Sequence, residues 1–298
     1  MKKLLFLYNT HAGKGLLKNR LAAVQDALAA AGWDVTIHPT QGAGDATAVA
    51  AARAGEFDRI VCSGGDGTLH EVVAGLMGLE NRPEVGYIPA GTTNDFAKNL
   101  NLPLDSLTDL AVTAVTGVPC THDMGRFNGQ PFLYVAAFGA FTEIAYSTPQ
   151  KNKNLLGYNA YVLEVVKSLS SIKPYHIKVE SEDQTIEGDY LYGMVSNTTS
   201  VGRFRNFPPG NPDLSDGLLE VTLISPVRDV KDVEELSRAL LMTDPSILNS
   251  MLTTFPARKV KITAANELLW TLDGEAGGAH RVVEIEAVHN AYTILHGK

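Results

Sequence analysis

The chain has 298 residues, of which 45% are hydrophobic and 19% charged, and its formal net charge at pH 7 is −8. This length predicts two domains or one large one, and the negative charge disfavours non-specific nucleic-acid binding. Every apolar run is shorter than the roughly 18 residues of a membrane-spanning helix. The run at 4–8 is typical of a first core strand rather than a secretory leader. The two cysteines, Cys62 and Cys120, cannot form a disulfide framework and indicate a reducing, cytoplasmic setting.

Strand-like and helix-like segments alternate over the first part of the chain. The β-branched and apolar runs predict strands at 4–8, 34–38, 59–63 and 85–88. Apolar spacing and composition predict helices at 17–28, 45–54 and 68–77. This alternation predicts a doubly wound, Rossmann-like α/β domain with a parallel sheet. Ligands of such sheets bind at the carboxyl ends of the strands, where three polar loops fall, at 9–15, 64–68 and 90–95.

The pattern changes from about residue 123 onward. Strand-like segments there are joined mostly by turns, which predicts a mostly antiparallel β-sandwich, and they lie at 132–138, 175–180, 189–196, 218–224, 260–263, 268–272 and 282–285. Helices are expected near 158–170 and 230–240. We place the domains at 1–124 and 125–287, and we expect 288–298, with its apolar stretch 291–295, to return to the first domain.

The sequence CSGGDGT at 62–68 is the most informative local pattern. Glycines allow a close backbone approach to a ligand, and a following helix N-terminus offers free N–H groups to an anion. An Asp in such a loop would reach phosphate through a divalent cation. The Walker A pattern is absent from the chain and GxGxxG is absent from this loop, so the pattern predicts another class of nucleotide-binding protein.

Five ordered motifs carry a resemblance to a known family: NTHAGKG at 9–15, GGDGT at 64–68, PAGTTNDFA at 89–97, DGL at 216–218 and DGE at 273–275. Together they resemble the diacylglycerol kinase catalytic family, which includes sphingosine kinases and bacterial lipid kinases. GGDGT alone is also similar to loops of NAD kinases and phosphofructokinases. The run TTNDFA and the late DGE favour the lipid kinases. Thr10 stands where the family commonly has proline.

The resemblance implies that the first domain binds ATP. Its nucleotide-binding positions would be Asn9, Thr10, His11, Ala12, Gly13, Thr40, Gly64, Gly65, Asp66, Gly67, Thr68, Glu71 and Thr92. The residues alone support the glycine-rich loops, because backbone amides suit phosphate. They say nothing specific about Thr40, which is an ordinary turn residue in type.

The catalytic hypothesis concerns DGE at 273–275. Phosphoryl transfer to an alcohol needs an aligned hydroxyl, charge neutralisation and a carboxylate that takes the proton. On the residues alone, a solvated Asp-Gly turn is an alternative interpretation. The resemblance implies that Glu275 is the general base, with Asp273 as supporting carboxylate and Asp66 as a further catalytic group.

The resemblance also implies a structural Mg²⁺ site. Asp216 would be its main ligand, with Asp213 and the Leu218 carbonyl beside it, since hard cations take oxygen ligands and Mg²⁺ keeps several waters. Those waters would extend toward three further carboxylates, Asp66, Asp95 and Asp123.

The resulting hypothesis is an ATP- and Mg²⁺-dependent lipid kinase that phosphorylates the free hydroxyl of diacylglycerol or a related lipid to give phosphatidic acid. Such a cytoplasmic enzyme would touch a membrane transiently, through a basic patch such as 14–20, 151–153, 203–207 or 258–261. Nucleic acid is not an expected partner, and a homodimer is left open. The alternatives are an NAD kinase-like metabolite kinase and a catalytically inactive nucleotide-binding regulator.

Overall fold

The computed structural model describes residues 1–12, 20–140, 158–169, 172–202, 204–205, 207–241 and 251–298. The chain divides into two compact units. The N-terminal unit comprises 1–123 and 290–298, and the C-terminal unit comprises 124–289. The sequence analysis placed the boundary at 124/125 and the start of the returning segment at 288.

The N-terminal unit is built on a parallel sheet. Its first four strands are β1 (Lys2–Tyr8), β2 (Trp33–Pro39), β3 (Arg59–Gly64) and β4 (Glu84–Pro89). The spatial order is β2-β1-β3-β4, and the end of the last strand, β16 (Glu275–His296), lies parallel to β4 with Ile294 opposite Val85. All six residues of β3 are buried, as expected for a central strand covered on both faces.

Helices pack on this sheet in two pairs. They are α1 (Leu21–Ala30), α2 (Asp45–Arg53), α3 (Asp66–Leu76) and α4 (Leu107–Thr116). Helix α1 contacts α4, and α2 contacts α3. The first pair encloses one hydrophobic core with β1 and β3, which includes Leu4, Phe6, Val24, Leu28 and Val61. The doubly wound α/β class predicted from the sequence is confirmed.

Helix α3 begins earlier than the sequence analysis expected. We predicted a loop through Thr68, whereas the helix starts at Asp66 with Gly65 as its N-cap. Gly65 is in an extended conformation with φ −83° and ψ −177°, and Asp66 places its negative charge in the first turn, where the helix dipole favours it. The GGDGT motif is therefore a very short turn followed directly by a helix N-terminus.

The C-terminal unit is mostly antiparallel. Its strands lie within β5 (Val118–Phe127), β6 (Gln130–Phe132), β7 (Val135–Gly139), β8 (Tyr175–Ser181), β9 (Thr185–Tyr190), β10 (Tyr192–Ser196), β11 (Ser200–Val201), β12 (Phe204–Arg205), β13 (Leu219–Ile224), β14 (Leu252–Ala257), β15 (Lys259–Leu272) and β16. The main spatial order is β14-β13-β10-β7-β15-β16, with β8 and β9 added beside β15. Phe138 and Trp270 centre its core with ring centroids 4.9 Å apart.

Several predicted strands have different limits in this unit. The predicted strand 132–138 is two strands, because Leu133 and Tyr134 leave the ladder to bond another side chain. The predicted strands 260–263 and 268–272 form the single strand β15, which carries an irregularity between Thr263 and Leu268. The described part of this unit contains the helices α5 (Tyr158–Leu169) and α6 (Val230–Leu241), close to the predicted limits.

The sequence analysis missed helix α4 and strands β5 and β14. Helix α4 carries a clear start signal, since the Ser106 hydroxyl accepts a hydrogen bond from the Asp109 N–H at 3.2 Å. Buried and exposed residues do not alternate regularly in β5, where four consecutive residues, His122 to Gly125, are buried. Period-2 alternation is therefore too weak there to identify the strand from sequence.

Candidate active site

The three predicted loops of the N-terminal unit meet at one edge of its parallel sheet. The Asn9 N–H donates to the Ser63 carbonyl at 2.8 Å, and the Ala90 N–H donates to the Gly64 carbonyl at 2.7 Å. The Thr40 N–H donates to the Tyr8 carbonyl at 2.9 Å. These bonds join the ends of β1, β2, β3 and β4 in register, so the loops that follow start side by side.

Glycines let two of these loops touch. A Cβ on Gly91 would lie 2.5 Å from the Gly65 Cα, and a Cβ on Gly64 would lie 2.2 Å from the Thr68 hydroxyl oxygen. Real Cβ atoms do not approach other atoms so closely. Close packing is thus one reason for glycine at positions 64 and 91. It adds to the close ligand approach that the sequence analysis expected of this motif.

Asp66 ties the GGDGT turn to the TTNDF loop. One carboxylate oxygen accepts the Asp95 N–H at 2.8 Å, and the other accepts the Phe96 N–H at 3.2 Å. Phe96 begins a short 3₁₀ helix, Phe96–Asn99. The carboxylate therefore caps this helix, and its negative charge is partly neutralised by backbone donors.

Asparagines close the other two loops. The Asn94 side chain accepts the Gly91 N–H at 2.8 Å and donates to the Gly91 carbonyl at 2.9 Å, while its own backbone has φ +48°. The Asn9 side chain accepts the His11 N–H at 2.9 Å and contacts the Thr68 hydroxyl at 3.4 Å. Asn9, Thr68 and the Gly64–Gly67 turn are thus brought together.

The remaining predicted nucleotide positions are placed differently. Thr10, His11 and Ala12 follow Asn9, and the Thr10 hydroxyl lies 3.1 Å from His11 Nδ1. Thr92 is exposed on the loop after β4. Gly13 lies outside the described residues.

Glu71 acts on helix α2. Its carboxylate accepts the Gly44 N–H at 2.9 Å and the Ala46 N–H at 3.2 Å, and its carbonyl accepts the Thr47 hydroxyl. These bonds satisfy orphan donors of the α2 N-terminus. In the structure Glu71 therefore stabilises the N-terminus of α2, the helix that follows the Thr40 loop.

Asp95 and Asp123 are both buried in the N-terminal unit. Asp95 forms an ion pair with Lys98, and the Asp123 carboxylate accepts the Asn290 N–H at 2.7 Å. The second bond ties β5 to the returning C-terminal segment.

Tyr87 is a residue that the sequence analysis missed. It lies in β4, is fully buried, and its hydroxyl donates to the Gly64 carbonyl at 3.2 Å. The available signal was a tyrosine among the apolar residues Val85, Gly86 and Ile88 of β4, because a buried phenol needs a hydrogen-bond partner.

In the C-terminal unit, Asp273 is a backbone anchor. Its carboxylate accepts the N–H groups of Leu133, Tyr134 and Val135 at 2.7, 3.0 and 3.1 Å. Its own N–H donates to the Val135 carbonyl at 2.8 Å. Asp273 is buried and has φ +51°, so it fixes the turn after β15 to the start of β7.

Glu275 follows the same turn, but its surroundings differ from those of the buried Asp273. Gly274 has φ +86°, which an L side chain rarely adopts, and Glu275 begins β16 opposite Leu272. Its side chain is exposed. Of the two predicted carboxylates, Glu275 is therefore the one that a reactant can reach.

The predicted metal residues lie on one exposed turn before β13. The Asp213 carboxylate accepts the Ser215 N–H at 3.0 Å, and the Asp216 carboxylate accepts the Leu218 N–H at 2.9 Å. Within the described ranges, no three His, Cys, Asp or Glu side chains are grouped closely enough to hold a metal by themselves. A cation here would need carbonyl and water oxygens as well.

Glu220 adds an unexpected carboxyl next to this turn. It is buried, and its Oε2 finds no hydrogen-bond partner in the described part of the chain. Burial, together with the charges of Asp216 and Asp213, raises the pKa of Glu220 to about 8. Together with the carboxylates of Asp213 and Asp216, this buried carboxyl offers the oxygen ligands that a hard cation prefers.

Comparisons with known proteins identify the families of both parts of the chain. The family profile described as the diacylglycerol kinase catalytic domain matches residues 3–127. The profile described as the YegS C-terminal NAD kinase beta sandwich-like domain matches residues 140–296. The predicted β-sandwich class of the second part is thereby confirmed.

Relatives match along most of the chain. A diacylglycerol kinase of Bacillus subtilis (strain 168) is 36% identical over 279 residues, which cover 93% of this chain and 91% of the relative. A diacylglycerol kinase of Staphylococcus saprophyticus is 30% identical over 93% of this chain and 90% of the relative. The chain belongs to the diacylglycerol kinase family, and it is a lipid kinase.

Solved structures share the fold. A crystal structure of a diacylglycerol kinase from Bacillus anthracis str. Sterne superposes with a TM-score of 0.77 at 24% identity, covering 99% of this chain and 97% of that one. Another structure from the same organism gives a TM-score of 0.82 at 26% identity. In the described ranges, no helix is long and apolar enough to cross a bilayer.

Proposed function

We propose that this enzyme transfers the γ-phosphate of ATP to the free hydroxyl of diacylglycerol or a related lipid, with Mg²⁺, and that the product from diacylglycerol is phosphatidic acid. The observation that carries the proposal is the meeting of three loops at one sheet edge, with two glycines in contact and a helix N-terminus at Asp66. Helix N-termini and exposed loop amides bind phosphate.

The proposal assigns the nucleotide to the N-terminal unit. Asn9 and Thr68 contact each other beside the glycine-rich turn. Gly65 and Gly91 have no side chains that would occupy the proposed phosphate site. Thr10, His11, Ala12 and Thr92 lie on the flanking loops. Asp66 and Glu71 contribute by fixing loops and helices, since their carboxylates already bond backbone N–H groups.

The proposal assigns the proton transfer to Glu275. The lipid hydroxyl oxygen forms a bond to the γ-phosphorus, the bond from that phosphorus to the β–γ bridging oxygen breaks, and ADP leaves. Glu275 accepts the hydroxyl proton. Asp273 is a positioning residue in this scheme, because three backbone N–H groups occupy its carboxylate.

Mg²⁺ would be held by Asp216, with Asp213 and the Leu218 carbonyl beside it. The fit rests on Glu220, whose buried Oε2 has no hydrogen-bond partner among the described residues and which follows Asp213 and Asp216 closely in the chain. A bound cation supplies charge neutralisation. The chain's own residues shape its turn through the two backbone bonds of Asp213 and Asp216.

The central experiment measures phosphate transfer from γ-labelled ATP. Mixed micelles of diacylglycerol, sphingosine, phosphatidylglycerol or undecaprenol are the acceptors, and NAD⁺ is assayed in parallel. We expect label in a lipid. Label in NAD⁺ would favour a metabolite kinase, and ATP binding without transfer to any acceptor would favour a regulator.

Glu275→Gln isolates the base. It should lower kcat by about 10²–10⁴-fold, the usual contribution of general acid–base catalysis. Glu267→Gln is the matched control, since Glu267 is also exposed and lies on β15. Equal activities of the two variants would remove Glu275 from the mechanism.

Asp216→Ala tests the cation site. The variant should need more Mg²⁺ for half-maximal activity than the wild type, while its ATP dependence at saturating Mg²⁺ changes less. An unchanged Mg²⁺ requirement would remove the assignment.

We also propose peripheral contact with a lipid surface. Of the predicted basic patches, 258–261 is fully described; Arg258, Lys259 and Lys261 are exposed there, and Lys259 lies 3.5 Å from Glu284. Patches 14–20, 151–153 and 203–207 lie partly or wholly outside the described residues.

The paired variant Arg258→Gln/Lys261→Gln should lose more activity on anionic vesicles than on dispersed short-chain lipid. Arg228→Gln/Lys231→Gln removes the same charge elsewhere and is the control. Equal losses on vesicles and dispersed lipid would exclude patch 258–261.

A further inference from the structure

A hydrogen bond between two side chains closes the loop that joins β2 to α2. His38 is the second-last residue of β2, and Asp45 is the first residue of α2. His38 Nε2 lies 2.9 Å from a carboxylate oxygen of Asp45, and the two side chains are 26% and 24% exposed. A carboxylate only accepts hydrogen bonds, so His38 Nε2 carries the proton. The bond spans the loop 40–44.

The strand pattern explains how a histidine at this position reaches α2. Val35 and Ile37 pack against the hydrophobic core that α1 and α4 cover. Successive side chains of a strand point to opposite faces of the sheet. His38 therefore lies on the other face, where its ring meets the first residue of α2.

Asp45 serves the loop rather than its own helix. The oxygen that faces His38 also accepts the Gln41 N–H at 3.0 Å. An acidic residue in the first turn of a helix is favourable through the helix dipole alone, but that effect needs neither of these bonds. The N–H groups of Gly44 and Ala46, at the start of α2, are accepted by Glu71 instead. Asp45 thus fixes the start of the loop, and Glu71 fixes its end.

The loop fixed in this way begins with Thr40. The Thr40 N–H donates to the Tyr8 carbonyl at 2.9 Å, which extends the pairing of β1 with β2 by one bond. The Thr40 side chain is partly exposed, and its hydroxyl forms no hydrogen bond with the described part of the chain. A hydroxyl at the carboxyl edge of a parallel sheet is available to a ligand bound there.

We propose that His38 and Asp45 are positioning residues that hold loop 40–44 so that the Thr40 hydroxyl binds ATP. Thr40 is held on one side by its own bond to β1 and on the other by the bond of Gln41 to Asp45. A shift of the loop would move the hydroxyl away from the strand ends where the other loops meet. The consequence for ATP rests on the proposed function, whereas the effect on the loop does not.

Amide hydrogen exchange of the nucleotide-free protein tests the effect on the loop. In Asp45→Ala the Gln41 amide should exchange about tenfold faster, because it loses a hydrogen bond to a charged acceptor. The Gly44 and Ala46 amides should change less than twofold, since Glu71 accepts them. Asp109→Ala is the matched control, because Asp109 is an exposed acidic residue in the first turn of α4.

Unchanged exchange at Gln41 would overturn the proposal. Equal acceleration at Gln41, Gly44 and Ala46 would also overturn it, because that result indicates a general loosening of the α2 N-terminus through the lost charge.

Variants of His38 separate its hydrogen bond from its packing. His38→Phe keeps a ring of similar size but has no donor, and the Gln41 amide should exchange about threefold faster, because Asp45 loses its second partner. His38→Gln retains an N–H donor and should restore the exchange to within twofold of the wild type. Equal exchange in the two variants would remove His38 from the proposal.

A double-mutant cycle on Mg²⁺–ATP affinity tests the action through Thr40. Asp45→Ala should weaken binding about fivefold in the wild-type background and less than twofold in the Thr40→Val background, while kcat at saturating ATP changes less than twofold. Equal losses in both backgrounds would contradict an action through Thr40. If the wild type binds no ATP, the proposed function fails and the role of Thr40 fails with it, whereas exchange at Gln41 still decides whether His38 and Asp45 hold the loop.

Discussion

Asp66 and Asp273 invite comparison, because each follows a strand and each was predicted to take part in chemistry. In the structure both accept backbone N–H groups from another segment, two for Asp66 and three for Asp273. Asp66 does so from the first residue of a helix. Asp273 does so from a tight turn in the left-handed region.

The difference shows how the two units organise their candidate sites. The N-terminal unit distributes its site over several strand ends, with Asp66 as one of several ties between loops. In the C-terminal unit the predicted catalytic residues lie in one turn, where the three N–H groups that Asp273 accepts add to the ladder between β15 and β7. Damage to one side chain should therefore have the larger effect in the C-terminal unit.

The largest effect is expected for Asp273→Asn. The amide has one oxygen, so at least one buried N–H group loses its acceptor, and we expect a loss of about 3 kcal/mol in the free energy of unfolding. Asp66→Asn should lose about 2 kcal/mol, since it serves fewer donors. Urea unfolding measures both, with exposed Asp183→Asn as control. A larger loss in Asp66→Asn would reverse the comparison.

Gly91→Ala tests the distributed site by forcing two loops apart. Its Cβ would meet the Gly65 Cα at 2.5 Å and the Asn94 Oδ1 at 2.7 Å. Overpacking of this kind typically costs about 1–3 kcal/mol, and we expect Mg²⁺–ATP affinity to fall about tenfold. Gly78→Ala meets nothing within 4 Å and serves as control. Unchanged affinity in titration calorimetry would show that the loops tolerate separation.

The units should also differ in their response to acid. In the N-terminal unit, His122 Nε2 and His296 Nε2 are 2.7 Å apart. Burial, together with the neighbouring His296, lowers the pKa of His122 to about 3. Burial also lowers the pKa of His296. In the C-terminal unit, hydrogen bonds to Asp189 and Glu187 raise the pKa of exposed His176.

A histidine with a lowered pKa in the folded unit stays neutral at a pH at which the same histidine is protonated in the unfolded chain. The stability of the N-terminal unit should therefore fall below about pH 6.5 by up to about 1.4 kcal/mol per pH unit for each such histidine. Trp33 lies in the N-terminal unit and Trp270 in the C-terminal unit. The fluorescence of Trp270→Phe therefore reports unfolding of the N-terminal unit, and that of Trp33→Phe reports unfolding of the C-terminal unit. His122→Phe should flatten the slope for Trp33; an unaltered slope would contradict the assignment.

The smallest effect is expected for Glu71→Gln. One of the two α2 amides should lose its acceptor, at a cost of about 1 kcal/mol. Glu80→Gln is an exposed control. If Glu71→Gln instead abolished ATP binding without a change in stability, Glu71 would belong to the nucleotide site itself.

The sequence by itself determined the fold class, the order of the motifs and the family resemblance. The alternation of apolar strands and helical segments places loops 9–15, 64–68 and 90–95 at the same sheet edge, because the strands are parallel. The pattern was less informative where local signals are weak or interrupted, as in β5 and in the split between β6 and β7.

Only the tertiary structure decided what the carboxylates hold. The partners of Asp66, Glu71 and Asp273 lie between 25 and 140 positions away in the chain, and no local pattern specifies such distant backbone donors. Tyr87 was overlooked for the same reason, since its role depends on a carbonyl 23 residues earlier. Residue types indicate which chemistry is available, whereas long-range hydrogen bonds determine which oxygen remains open to a reactant.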